Sequence, residues 1–181
     1  MGKIVLVTGG ARSGKSVFAE KYTEKFGKNI SYIATAEVYD DEMRKRISLH
    51  KERRPKEWKT YEYPKNAYLA IEKAGQDSDM ILFDCLTIYL SNIILSIENS
   101  IDEKIINDEI NLLINSAKKI PATTVFVTNE VGAGIVPENK ISRIYRDFAG
   151  IMNQTFAENA DEVYLAVSGI VVNLKDIMVK F

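Results

Sequence analysis

The sequence predicts an α/β fold: a mostly parallel central sheet with helices on both faces, in one domain spanning residues 1–181. Three observations predict it. Short β-branched runs alternate with longer amphipathic segments, and the runs are near-continuously apolar rather than alternating, as in a sheet covered on both sides. No linker-like tract, low-complexity segment or internal repeat divides the chain. At 181 residues, with 46% apolar and 27% charged, the composition is that of an ordinary globular protein able to build a core without disulfides or metals.

The strands are expected at Ile4–Thr8, Ile30–Ala34, Met80–Asp84, Thr124–Thr128, Val163–Val167 and Ile170–Asn173, with a further short one within Trp58–Tyr63. The helices are expected at Lys15–Phe26, Asp41–Arg53, Ala67–Ala74, Thr87–Ser96, Asp102–Lys118 and Asn139–Asn159. Pro55 closes the second helix, because proline pushes the residue before it out of the α region. The segment Glu98–Glu103 reads as the principal mid-chain loop.

Composition narrows the function. A net charge of −1 argues against general nucleic-acid binding, which needs a domain-wide basic excess. One cysteine, Cys85, cannot form an internal disulfide and suits a reducing compartment. The apolar run Ile4–Val7 is too short for a signal sequence, and no stretch approaches the roughly 20 apolar residues of a membrane span. A soluble, cytoplasmic protein is expected.

Residues Gly9, Gly10, Ala11, Arg12, Ser13, Gly14, Lys15 and Ser16 match G-x-x-x-x-G-K-[ST], between an apolar strand and a helical pattern (Val17, Phe18, Tyr22, Phe26). That is the setting the motif needs. Its glycines let backbone N–H groups turn inward at the positive end of a helix dipole. Lys15 is placed to reach the β- and γ-phosphates of a nucleoside triphosphate, and the Ser16 hydroxyl to ligate Mg²⁺. Asp84 ends a buried strand on the edge where such folds bind ligands, so it suits a second metal-holding role; an ordinary polar strand end is the alternative.

His50 is the only histidine. On a helix it shares the face of Met43 and Ile47, within a cluster of Arg44, Lys45, Arg46, Lys51, Arg53 and Arg54 opposed by Glu52. The residues leave two readings open. His50 is a half-buried structural side chain above a solvated basic face, or it is a nucleophile kept neutral by surrounding positive charge that also holds a polyphosphate. The loop after the Thr124–Thr128 strand, TNEVGAGIVPEN (Thr128–Asn139), is likewise either a plain connection or a ligand-approaching loop.

Taken together, GGARSGKS, YIATA (Tyr32–Ala36), RISLHKERRPKEW (Arg46–Trp58), VTNEVGAGIVPEN (Val127–Asn139), YRDFAGIMNQ (Tyr145–Gln154) and ADEVYLAVSGI (Ala160–Ile170) closely resemble the bifunctional adenosylcobinamide kinase/adenosylcobinamide-phosphate guanylyltransferase family of cobalamin biosynthesis. The resemblance runs essentially end to end and implies a single P-loop NTPase (RecA-like) domain. It implies phosphorylation of adenosylcobinamide with ATP or GTP, then transfer of GMP from GTP to the phosphate through a guanylylated His50, with release of pyrophosphate. The implied nucleotide contacts are Gly9–Ser16; Ala34, Thr35 and Ala36; Lys51, Glu52, Arg53 and Arg54; and Glu62 and Asp84. Glu62 on its own reads as a surface glutamate. A homotrimer is also implied. Two positions depart from the family: Leu49 stands where many members have a second histidine, and Asp84 where some have glutamate.

Overall fold

The computed structural model describes residues 1–37, 41, 44, 55–98 and 100–179. Seven strands form one sheet in the order β3-β2-β4-β5-β1-β6-β7. They are β1 (Ile4–Gly9), β2 (Ile30–Ala34), β3 (Lys59–Glu62), β4 (Met80–Asp84), β5 (Thr123–Val127), β6 (Glu162–Val167) and β7 (Ile170–Asn173). All neighbours pair in parallel except β6 and β7, an antiparallel hairpin closed by Ser168 and Gly169. The helices are α1 (Lys15–Phe26), α2 (Ala67–Ala74), α3 (Leu86–Ser96), α4 (Glu103–Lys119), α5 (Lys140–Asn159) and the single turn α6 (Leu174–Ile177).

Every predicted strand is present within a residue or two, the one expected within Trp58–Tyr63 being β3. Asp102 and Asn139, read from sequence as first helical residues, are the caps. Their side chains accept from the N–H groups of Lys104 and Ser142, which satisfies donors that a helix start leaves unpaired. The turn α6 was not expected; four residues are too few for a periodicity signal, and Asn173 caps it by accepting from Lys175 N. The helix expected at Asp41–Arg53 lies outside the described residues apart from exposed Asp41 and Arg44.

Strand alternation splits the core in two. Ile4 and Leu6 of β1, Ile81 and Phe83 of β4, and Phe126 of β5 face a large cluster completed by α2, α3, α4 and α5. Val5, Val7, Leu82, Val125 and Val127 face the other way, onto Ala19 and Tyr22 of α1, with Trp58 beside them. Interior strands are therefore apolar on both faces, which explains their continuous hydrophobic runs. Among the described residues no helix is long and apolar enough to cross a membrane.

The β1–β6 seam carries a polar clasp at its N-terminal end. Glu162 accepts hydrogen bonds from Lys3, Tyr22 and Tyr164, and Tyr22 stacks in a ring cluster with Phe18, Phe26 and Tyr164. Burial pushes the Glu162 carboxyl up, but the donors from Lys3, Tyr22 and Tyr164 outweigh it and hold the group below the ordinary glutamate range. A carboxyl depressed in the folded state contributes stability above its unfolded value, near pH 4.3, and loses it as pH falls through the folded value. Glu162→Gln is therefore expected to lower stability by about 1 kcal/mol at pH 7, a few degrees in Tm. In melts from pH 7 to pH 3 the gap from wild type should close towards acid; a constant gap would show that the charge is not what matters.

Candidate nucleotide site

Parallel pairing brings the carboxyl ends of five strands to one edge. The register sets Glu62 of β3 beside Ala34 of β2, Ala34 beside Asp84 of β4, Asp84 beside Val127 of β5, and Val127 beside Val7 of β1. The glycine-rich loop rises from β1 on this edge, and Thr35, Ala36 and the residues after β5 lie on it too. Residues scattered across the first 130 positions are thus gathered on one rim.

The loop is tightly built. Gly14, the residue before α1, has φ 95°, a left-handed conformation open to glycine at little cost. A side chain on Gly9 would meet the Ala166 carbonyl at 2.4 Å and Ser13 Oγ at 2.7 Å, so only glycine lets β6 pack this close. The β6–β7 turn braces the loop from outside, Gly169 N donating to the Ser13 carbonyl at 2.9 Å. Ser13 and Thr8 each keep a buried hydroxyl oxygen with no partner among the described residues. A polar, closely packed loop with orphaned hydroxyls at a helix start fits an anionic oxygen-rich ligand.

Lys15 is buried to 8% exposure and donates to the Gly10 carbonyl at 3.1 Å, so its ammonium lies folded over the loop. Burial lowers its pKa, opposed by Cys85 and Asp84. Ser16 is half-buried in the first turn of α1. Among the described residues no cluster of three acidic, histidine or cysteine side chains exists. The donors that suit Mg²⁺ are oxygens, the Ser16 hydroxyl and the Asp84 carboxylate, and this ion is characteristically held by one or two carboxylates together with substrate phosphates.

Asp84 is fixed by its surroundings. Tyr32, one strand over, donates its hydroxyl to Asp84 Oδ2 at 2.7 Å. The Asp84–Cys85 peptide is cis. Thr35 is fully buried, and its hydroxyl donates to the Cys85 carbonyl at 3.0 Å and accepts from Cys85 N at 2.9 Å. Its carbonyl is held in turn by Asn92 of α3 at 2.7 Å. The Thr35 side chain thereby positions the Asp84–Cys85 turn, while Ala34 and Ala36 beside it are only half-buried. Burial, then the adjacent Asp84, push the Cys85 thiol up to about 11, so it stays protonated at neutral pH. Glu62 is exposed at the end of β3. His50, Lys51, Glu52, Arg53 and Arg54 lie outside the described residues.

A second layer behind the rim was not evident from sequence roles. Asn129 donates to Thr87 Oγ1 at 2.7 Å, Asn153 of α5 donates to the Asn129 carbonyl at 3.1 Å, and Thr128 donates to Asn153 Oδ1 at 2.7 Å. Tyr145 adds a bond to the Thr87 carbonyl at 3.3 Å. These groups tie the ends of β5, α3 and α5 together. The available signal was Asn153, a polar residue on an otherwise apolar helical stripe with Ala149, Met152 and Phe156.

A family model described as cobinamide kinase / cobinamide phosphate guanyltransferase matches residues 5–174. A Salmonella typhimurium protein named bifunctional adenosylcobalamin biosynthesis protein CobU is 44% identical over 181 residues, covering 95% of this chain and 99% of its own. The Escherichia coli protein of the same name is 41% identical over the same shares. A Pseudomonas aeruginosa protein, bifunctional adenosylcobalamin biosynthesis protein CobP, is 38% identical over 94% of this chain and 96% of its own. Among solved structures, a type III secretion ATPase superposes with TM-score 0.59 at 12% identity, over 99% of this chain and 59% of that one. A KaiC-like protein of Pyrococcus horikoshii superposes with TM-score 0.50 at 17% identity, over 90% and 70%. Those two likenesses concern the fold, a RecA-like P-loop α/β arrangement. Loop, rim and near-full-length similarity together place this chain in the cobinamide kinase / cobinamide phosphate guanyltransferase family.

Proposed function

We propose that this chain, as a single domain of residues 1–181, phosphorylates adenosylcobinamide and then converts the product to GDP-adenosylcobinamide. The observation that carries the reading is the convergence of the Gly9–Ser16 loop, Lys15 and Asp84 on one sheet edge in a member of this family. ATP or GTP serves the first step, GTP the second.

In the kinase step the substrate's aminopropanol hydroxyl attacks the γ-phosphorus. The new O–P bond forms as the bond to the β-phosphate oxygen breaks, and the nucleoside diphosphate leaves. Lys15 and the loop N–H groups offset charge on the phosphates, so positioning and electrostatics suffice. Ser16 and Asp84 would hold Mg²⁺, which would supply charge neutralisation on the phosphate oxygens. In the transferase step a nitrogen of neutral His50 attacks the α-phosphorus of GTP, and pyrophosphate leaves. The phosphate oxygen of adenosylcobinamide phosphate then attacks the same phosphorus, breaks the N–P bond and restores His50. Lys51, Glu52, Arg53, Arg54 and Glu62, with Ala34 and Ala36, complete the nucleotide contacts, while fully buried Thr35, its backbone N–H and carbonyl bonded to Asp84 and Asn92, holds its neighbours in place. The α- and γ-phosphorus atoms are separated along the triphosphate, so the segment bearing His50, or the nucleotide, shifts between the two reactions.

The protein acts in the cytoplasm as a homotrimer. Exposed Val167, Ile170 and Val172 of the terminal hairpin, with Ile177 and Val179 beyond it, offer an apolar face for subunit contact.

Incubation with α-phosphate-labelled GTP tests the transferase. Label retained by wild type after denaturation, stable to base, labile to acid and lost in His50→Ala, is the expected outcome; kinase turnover should survive that substitution. An unlabelled wild type that still phosphorylates adenosylcobinamide would leave a kinase alone. Lys15→Ala is expected to slow both steps by about 10²–10³-fold. Asp84→Asn should raise the Mg²⁺ concentration needed for half-maximal kinase rate, and an unchanged requirement would remove Asp84 from the metal. Light scattering should give three times the chain mass, falling to one with Ile170→Glu; a monomeric wild type overturns the assembly.

A further inference from the structure

Arg146 has no part in the reading above, yet its environment is unusual for an arginine. It lies half-buried on α5, and its Nη1 is buried with no hydrogen-bond partner among the described residues. Guanidinium N–H groups are strong donors that cannot be silenced by deprotonation, and a buried one without an acceptor costs stability. Arg143, one turn earlier, shows the ordinary arrangement: its Nη1 donates to the Pro137 and Glu138 carbonyls at 3.2 and 2.6 Å.

The fold places Arg146 at the rim. Helix α5 follows β5 and runs back antiparallel to the strands, so its first turns stand at the carboxyl edge of the sheet. Seven residues separate Arg146 from Asn153, nearly two full turns, so the two share a stripe. Asn153 is bonded to Thr128 and to the Asn129 carbonyl, which fixes the level of the strand ends. Arg146 therefore stands about 10 Å further along the helix axis, beyond the strand ends and towards the ligand side. Its neighbour Tyr145 confirms the level by bonding the Thr87 carbonyl, three residues after Asp84. The Asn129–Asn153–Thr87 network keeps this part of α5 in place.

We infer that Arg146 is a phosphate-binding residue: its buried guanidinium N–H group donates to a phosphate oxygen of a ligand bound at the rim. A planar fork that donates several N–H groups suits a phosphate better than a neutral ligand. The assignment to this rim rests on the nucleotide-site reading above. The phosphate belongs to the nucleotide or to the phosphorylated acceptor, and these separate by experiment.

The test uses Arg146→Met, which removes the donors while keeping an apolar stem, and Arg146→Lys, which keeps the charge without the fork. Melts of the ligand-free proteins are paired with titrations of Mg·GTP, guanosine, adenosylcobinamide phosphate and adenosylcobinamide. The expected result for Arg146→Met is a Tm equal to or above wild type, with about tenfold or greater loss of affinity for at least one phosphate-bearing ligand. Guanosine and adenosylcobinamide should bind unchanged, and Arg146→Lys should recover part of the loss. A loss confined to Mg·GTP assigns the contact to the triphosphate; one confined to adenosylcobinamide phosphate assigns it to the acceptor. Unchanged affinities for both phosphate ligands in both variants overturn the inference, as does a Tm drop in Arg146→Lys that accounts for every affinity change. A wild type that fails to bind adenosylcobinamide phosphate counts against the activity proposed above and leaves the Mg·GTP arm to decide on Arg146.

Discussion

The arrangement depends on one constraint: β1 is held between two parallel neighbours, β5 and β6, so the loop that follows it must leave the sheet at its centre. A central strand has no spare hydrogen-bonding edge, and its end cannot drift. The glycine-rich turn into α1 inherits that fixity, and its backbone groups are oriented before any ligand arrives. Close packing by Ala166 and the Gly169 turn adds a wall that no side chain at Gly9 would tolerate. Preorganisation of this kind is what electrostatic catalysis requires, because donors already in place need no reorganisation during reaction.

From that centre the rim is built outward by strand register. Asp84 owes its place to β4 pairing with both β2 and β5, and its orientation to Tyr32 and to the Thr35–Cys85 contacts. Thr35 and Asn92 form a relay of hydrogen bonds linking β2, the β4–α3 turn and α3. These side chains have their polar atoms occupied within the protein, and their chemistry consists of holding others still. The buried polar groups concentrate at the carboxyl edge, whereas the middle of the sheet is apolar on both faces. Such a division is expected when stability comes from the core and specificity from its rim.

Among the described residues five buried side-chain atoms have no partner, and three of them, the hydroxyls of Thr8 and Ser13 and a guanidinium nitrogen of Arg146, stand at this edge; the other two are the hydroxyls of Thr23 and Thr124. Each such group destabilises the folded chain, and a site shaped for an anionic ligand offsets that cost only when the ligand is bound. At the opposite, N-terminal end of the sheet three donors converge on the Glu162 carboxylate.

The sequence by itself determined the elements, because the signals are local. Continuous apolar runs marked the buried strands, amphipathic periodicity marked the described helices other than α6 to within a residue or two, and G-x-x-x-x-G-K-S between strand and helix marked the loop. Motif order along the chain was also enough to carry the family resemblance. Tertiary structure decided what depends on register and on neighbours distant in sequence. Only strand pairing puts Glu62, Ala34, Asp84 and Val127 in one row, so a glutamate that reads as surface filler stands on the same carboxyl edge as Asp84. Only packing shows that Thr35 is turned inward to the Cys85 backbone, and that Arg146, alone among the described basic residues, has a buried unpaired nitrogen. Hydrogen bonds between residues 25 to 58 positions apart leave no periodicity to read, since their partners are chosen by the folded surface and not by the spacing of the chain.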